Sequence, residues 1–248
     1  MNKFSLSAAL LTITLVNQAF CTSAFAQNRN EVLSVNVSDV TRQYSGRLES
    51  ILPPPDQGCL PTDPWCGTLP DPINPGGFDF SSIFAIGNKI WDFIITNKPN
   101  AEYKTLRASV LPGGATSWSQ LKGWSKPVAK VYRVEFKNII GKSAGGFDYR
   151  IVFIYGGSHE GKGKFIGQIS FAPLNINLKT DRQLNVKGEL LEPLNFGTEE
   201  DPIAGVQLLI TWHSNTTLRY NMNSIEYFLY GTGEIQDISN GTAPQMME

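Results

Sequence analysis

From Val128 to Leu229, apolar side chains return at nearly every second position in six separate runs. The runs are Val128, Tyr132, Val134 and Phe136; Phe147, Tyr149, Ile151, Phe153 and Tyr155; and Phe165, Ile169 and Phe171. They continue with Leu184, Val186 and Leu190; Val206, Leu208, Ile210 and Trp212; and Ile225, Tyr227 and Leu229. A period of two marks a strand with one face on a core. An earlier run, Leu33, Val35 and Val37, has the same period. Glycine-containing or polar loops punctuate the series at Gly141 to Gly146, Gly156 to Gly163, Asn195 to Gly205 and Ser214 to Ser224. Strands so close together, with no helix between them, pair mostly antiparallel, because parallel neighbours need a long crossover. One open sheet leaves a large apolar face in water, whereas two sheets packed face to face bury it. The expected fold is therefore a mainly β, antiparallel β-sandwich of about 7–9 strands. Alternation also permits an outer-membrane barrel. The polar ending Gln245-Met246-Met247-Glu248, without a closing aromatic strand, disfavours it.

Two segments depart from this pattern. Residues 52–78 hold eight of the 15 prolines together with Cys59 and Cys66. Residues without an N–H cannot support a ladder, so a surface loop is expected there. Between Asp79 and Asn97, Phe80, Ile83, Phe84, Gly87, Ile90, Trp91 and Ile94 recur at helical spacing, and Pro99 follows. A helix over about residues 80–96 is expected, with an unusually wide apolar surface because Ile86 and Phe93 fall beside the stripe.

Met1 to Ala26 has the parts of a secretory signal: Lys3, an apolar run around Ala8 to Val16, and small residues at Ala24 and Ala26. Cleavage after Ala26 leaves a single domain over 27–248, with a flexible tail over 238–248. Phe20 before Cys21 is bulky for a lipid-attachment site. Removing the signal leaves an even pair of cysteines, which points to an oxidising compartment, secreted or periplasmic, and to a Cys59–Cys66 disulfide clasping the proline loop. Lys3 is the only charge in the signal, so the remainder carries 20 basic and 22 acidic residues, a net charge of about −2. That balance offers nothing to neutralise phosphates, so nucleic acid is excluded as an expected partner.

Motifs for chemistry are sparse. Six residues separate Cys59 from Cys66, too many for a dithiol redox centre, and the stretch lacks further zinc ligands. Gly141-Lys142-Ser143 resembles the end of a phosphate loop, but Phe136 stands where the leading glycine is required. His159 and Glu160 lie in a glycine-rich hairpin turn. His213 shares a strand face with Gln207 and Thr211, opposite Trp212. Neither histidine sits in a nucleophile motif. Glu199, Glu200 and Asp201 cluster before Pro202 and are the remaining carboxylates for glycosidase chemistry or a calcium site. No catalytic residue, metal or cofactor is assigned.

The candidate ligand-contacting residues are Trp65, in the proline loop, and Trp118 and Trp124, which flank a short polar stretch. Loop aromatics stack on sugars, wedge into partners, or cover the open end of a core. The sequence is read as a secreted or periplasmic non-catalytic binding or structural protein, with carbohydrate, protein or a membrane surface as the open partner classes. Membrane engagement as a pore-forming or membrane-binding effector, through the apolar segment Phe80 to Ile95, is the alternative. A carbohydrate-active enzyme is the second alternative.

Overall fold

The alternating runs are strands, and they stack in two antiparallel sheets. The computed structural model describes residues 32–48, 77–95, 107–138, 140–178, 183–216 and 219–239. Within these, β1 (Val32–Asp39) is followed by α1 (Thr41–Leu48), β2 (Asp79–Gly87), β3 (Ile90–Ile95) and β4 (Ala108–Gly113). The long strands β5 (Val128–Asn138), β6 (Ser143–His159) and β7 (Lys162–Leu178) come next. The chain continues through β8 (Gln183–Leu190), β9 (Leu194–Asn195), β10 (Ala204–Thr216), β11 (Arg219–Tyr230) and β12 (Ile235–Asp237). One sheet has the order β1-β5-β6-β7-β4-β2, and the other β12-β11-β10-β8-β3 with β9 beside β10.

The inner faces are the residues that the period of two selects. Phe136, Phe147, Tyr149, Ile151, Phe165 and Phe171 from the first sheet meet Val186, Leu208, Ile210, Trp212, Tyr227 and Leu229 from the second in one buried cluster. Burying each large apolar side chain stabilises the fold by about 1.5–3 kcal/mol relative to exposure. Tyr149 and Tyr227 place their hydroxyls 2.8 Å apart, buried, and so satisfy each other across the sheet interface. The β6–β7 hairpin closes with His159 opposite Lys162. Its two turn residues, Glu160 and Gly161, have φ of +52° and +78°. Positive φ at both positions is what a two-residue turn needs to match strand twist.

The helix expected over residues 80–96 is absent. The segment forms β2 and β3, which belong to different sheets. Gly87, at φ +88°, marks the corner where the chain crosses between layers. In β3, Trp91 and Phe93 are buried while Ile90, Asp92 and Ile94 face outward. The wide apolar surface is divided between two strands rather than carried by one helix: β3 buries Trp91 and Phe93, while β2 buries Ala85 and packs half-buried Phe80, Ile83 and Ile86 against the core. The rich supply of Ile and Phe, β-branched or aromatic, also favours strands. Among the described residues the strand count is twelve rather than 7–9. Besides β2 and β3, the additional strands are β4, buried along its whole length and so without alternation, and β9 and β12, too short to show a period.

Among the described residues, α1 is the only α-helix. It starts directly after β1, where Asp39 Oδ1 accepts from the Thr41 N–H at 2.8 Å. Thr41 Oγ1 accepts from Val131 N–H at 2.9 Å, tying this start to β5. Val40 and Val131 form a small second cluster with Tyr44, Ala129 and Leu174 on the outer face of the first sheet. At the start of the segment read as a tail, Ile238 donates its N–H to the Glu226 carbonyl at 3.0 Å and packs beside Phe196, Phe228 and Tyr230; residues 240–248 lie outside the described residues.

Candidate functional site

Arg133 on β5 and Asp148 on β6 are directly opposite in the ladder, on the outer face. Arg133 Nε and Nη2 donate to Asp148 Oδ1 and Oδ2 at 2.9 and 3.0 Å, a two-pronged ion pair. Tyr44, reaching down from α1, donates its hydroxyl to Oδ2 at 2.5 Å. Asn175 Nδ2 donates to the Tyr44 hydroxyl oxygen at 2.8 Å and lies 3.4 Å from Oδ2. Asn175 gets there because β7 carries one extra residue between the partners of Gly146 and Asp148, and Asn175 adopts φ +42° in that bulge.

Asp148 is only 2% exposed. Burial alone pushes its carboxyl pKa up, but the bonds from Arg133 and Tyr44 outweigh that and hold it below the ordinary value. Burial and the bond to Asp148 push the Tyr44 hydroxyl up, so it stays protonated and donating. Arg133 is raised by the same carboxylate. The group is therefore a fixed ion pair at neutral pH rather than a proton carrier.

Beside this cluster the next cross-strand row runs Asn36, Glu135, Gly146 and Asn177 over four strands. Gly146 contributes no side chain, and a Cβ there would collide with the Val134 carbonyl. The gap between Glu135 and Asn177 opens into a hollow of about 360 Å³, walled also by Arg133, Asp148, Ser143 and Asn175. Its volume is at the small end of the ~300–1,000 Å³ range of small-molecule sites.

The residues singled out in the sequence do not converge on this hollow. Cys59, Cys66 and Trp65, with the signal segment 1–26 and most of the proline loop, lie outside the described residues. Trp118 and Trp124 sit edge to face with centroids 5.9 Å apart and pack against the core. The Trp124 ring fills the space left by Gly157 and Gly167, and its Nε1 donates to the Leu121 carbonyl at 3.2 Å. They cover core at the turn end of the β6–β7 hairpin, where Lys122 and Ser158 exchange backbone bonds of 2.9 and 2.8 Å. The hollow is at the other end, beside Gly145 and Leu178. At ~3.3 Å per residue the two ends are roughly 45 Å apart.

Glu199, Glu200 and Asp201 are exposed. Asp201 Oδ1 accepts from Gly163 N–H at 2.8 Å, which docks that loop on the hairpin at the end away from the hollow. His159 packs edge-on to Phe78 at 4.3 Å between ring centroids, with Nε2 4.0 Å from Glu160 Oε1. His213 is half-buried on the second sheet with Gln207 and Thr211, as its parity implies. The two histidines are thus on different sheets. Asn138 Oδ1 accepts from Ile140 and Lys142 N–H groups, so Gly141 and Lys142 belong to a turn and Ser143 opens β6.

Tyr44, Arg133, Glu135, Asp148 and Asn175 were not singled out from sequence. The signal was present in part: Arg133 and Asp148 are charges inside strongly apolar runs, Tyr132-Arg133-Val134 and Phe147-Asp148-Tyr149. A mid-strand charge that is to be buried needs a partner. Comparison of the chain with protein-family models, curated proteins and solved structures finds no match.

Proposed function

We propose that this protein is secreted or periplasmic and acts by binding a small ligand in the hollow on the first sheet, without catalysis. The observation that carries this reading is the pre-organised wall. Arg133, Asp148, Tyr44 and Asn175 hold one another by short bonds beside an open polar cavity of about 360 Å³. Fixed polar groups lose little entropy on binding. They are also spent as acid–base groups, because both Asp148 oxygens are already occupied. Export through Met1–Ala26 and a Cys59–Cys66 clasp complete the reading. Mass spectrometry of the mature chain is expected to show a start at Gln27 and a deficit of two hydrogens.

The binding test is a melting-temperature screen of the mature protein against sugars, amino acids and short peptides. A ligand is expected to raise the midpoint, and Ser143→Trp, at an exposed position on the rim, is expected to abolish that rise. A rise that survives Ser143→Trp removes the hollow from the function.

A second reading, contact with a lipid surface, rests on the outer face of the second sheet. There Ile94, Asn185, His213 and Met222 form one cross-strand row, with Ile94 62% and Met222 61% exposed. Co-sedimentation with liposomes, lost in Ile94→Glu, is its expected mark.

A further inference from the structure

We propose that the hollow takes a small ligand bearing an ammonium group, with Glu135 as its anchor; this rests on the reading of the hollow as a binding site. Three charged side chains line it: Arg133, Asp148 and Glu135. Arg133 and Asp148 neutralise each other through their paired bonds. Glu135 is left over. Among the described residues it forms no side-chain hydrogen bond and no salt bridge, and Lys137, two positions along β5, forms no salt bridge with it.

The remaining polar groups of the wall are neutral: the Ser143 hydroxyl, the Asn175 and Asn177 amides, and the main chain at Gly145 and Gly146. The lining therefore carries a net single negative charge on a half-buried carboxylate, whose field the protein walls focus into the cavity. An anionic ligand meets repulsion there. A divalent cation finds one carboxylate where calcium takes about 6–8 oxygens. Among the described residues no group of three or more His, Cys, Asp or Glu could hold a metal. An ammonium group has three donors and one positive charge, and it suits a carboxylate flanked by hydroxyl and amide oxygens.

Glucosamine and glucose share a ring and differ by the ammonium group, so they serve as probes. Both are titrated into the ¹⁵N-labelled mature protein at about pH 6, where the sugar's amine is charged. Glucosamine is expected to shift the Gly145, Gly146 and Asn177 amides saturably, with glucose weaker by about tenfold or more. Glu135→Gln, with an otherwise unchanged amide spectrum, is expected to erase that preference. Equal affinity for the two sugars, or a preference that survives Glu135→Gln, overturns the ammonium assignment and leaves the hollow standing as a binding site. No shift with either sugar overturns the ammonium assignment, while the hollow as a binding site stands or falls by the melting-temperature screen and Ser143→Trp.

Discussion

At the scale of single residues, Asp148 shows how one buried charge is made tolerable. A carboxylate 2% exposed is costly unless its lone pairs are met, and here Arg133, Tyr44 and Asn175 meet them. The consequence is acid sensitivity. Because the folded-state pKa of Asp148 is lowered, its stabilising contribution is complete above the unfolded carboxyl value, about 3.9. It is lost as pH falls through the lowered folded value. Urea midpoints measured from neutral pH downward are expected to show Asp148→Asn less stable than wild type at neutral pH, with the gap narrowing below about pH 4. A gap that is constant with pH counts against the ion pair. Arg133 and Asp148 were visible in the sequence as charges in apolar strands, but their meeting was not. Pairing depends on the register between β5 and β6, which spacing along either strand does not reveal.

At the scale of elements, the long strands β5, β6, β7, β10 and β11 declared themselves, because each returns an apolar residue to the core at nearly every second position over much of its length. The segment Asp79 to Ile95 misled, because apolar residues at i, i+3, i+4 and i+7 also arise when two short apolar strands follow one another into different sheets. The loop from Trp118 to Trp124 was ambiguous between display and cover, and its ring contacts favour cover. Gly157 exists there as the seat of the Trp124 ring, since a Cβ at Gly157 would overlap that ring. Gly157→Ala is expected to cost about 1–3 kcal/mol by overpacking, with a changed Trp fluorescence maximum in the folded protein. Alanine tolerated there with unchanged emission would mean the ring is not seated on the glycine.

At the scale of the whole molecule, the two sheets are joined by apolar packing, and the Tyr149–Tyr227 hydroxyl pair is a polar contact buried within it. Removing one hydroxyl strands the other in the core, at a cost of about 1–3 kcal/mol, whereas removing both leaves nothing unsatisfied. Chemical denaturation is therefore expected to find Tyr149→Phe and Tyr227→Phe each destabilising, and the double variant no worse than either single one. Full additivity of the two losses would show that the hydroxyls do not depend on each other. Burial also raises the pKa of both phenols above the ordinary tyrosine value. Sequence by itself determined the antiparallel, two-layer character of this protein, because the period of two sorts each strand's side chains between core and solvent before any partner is chosen. Only the tertiary structure decided which strands neighbour which. It alone brought Tyr44, Arg133, Asp148 and Asn175 to one point from three strands and a helix, since that meeting depends on cross-strand register and on a bulge that no local pattern encodes.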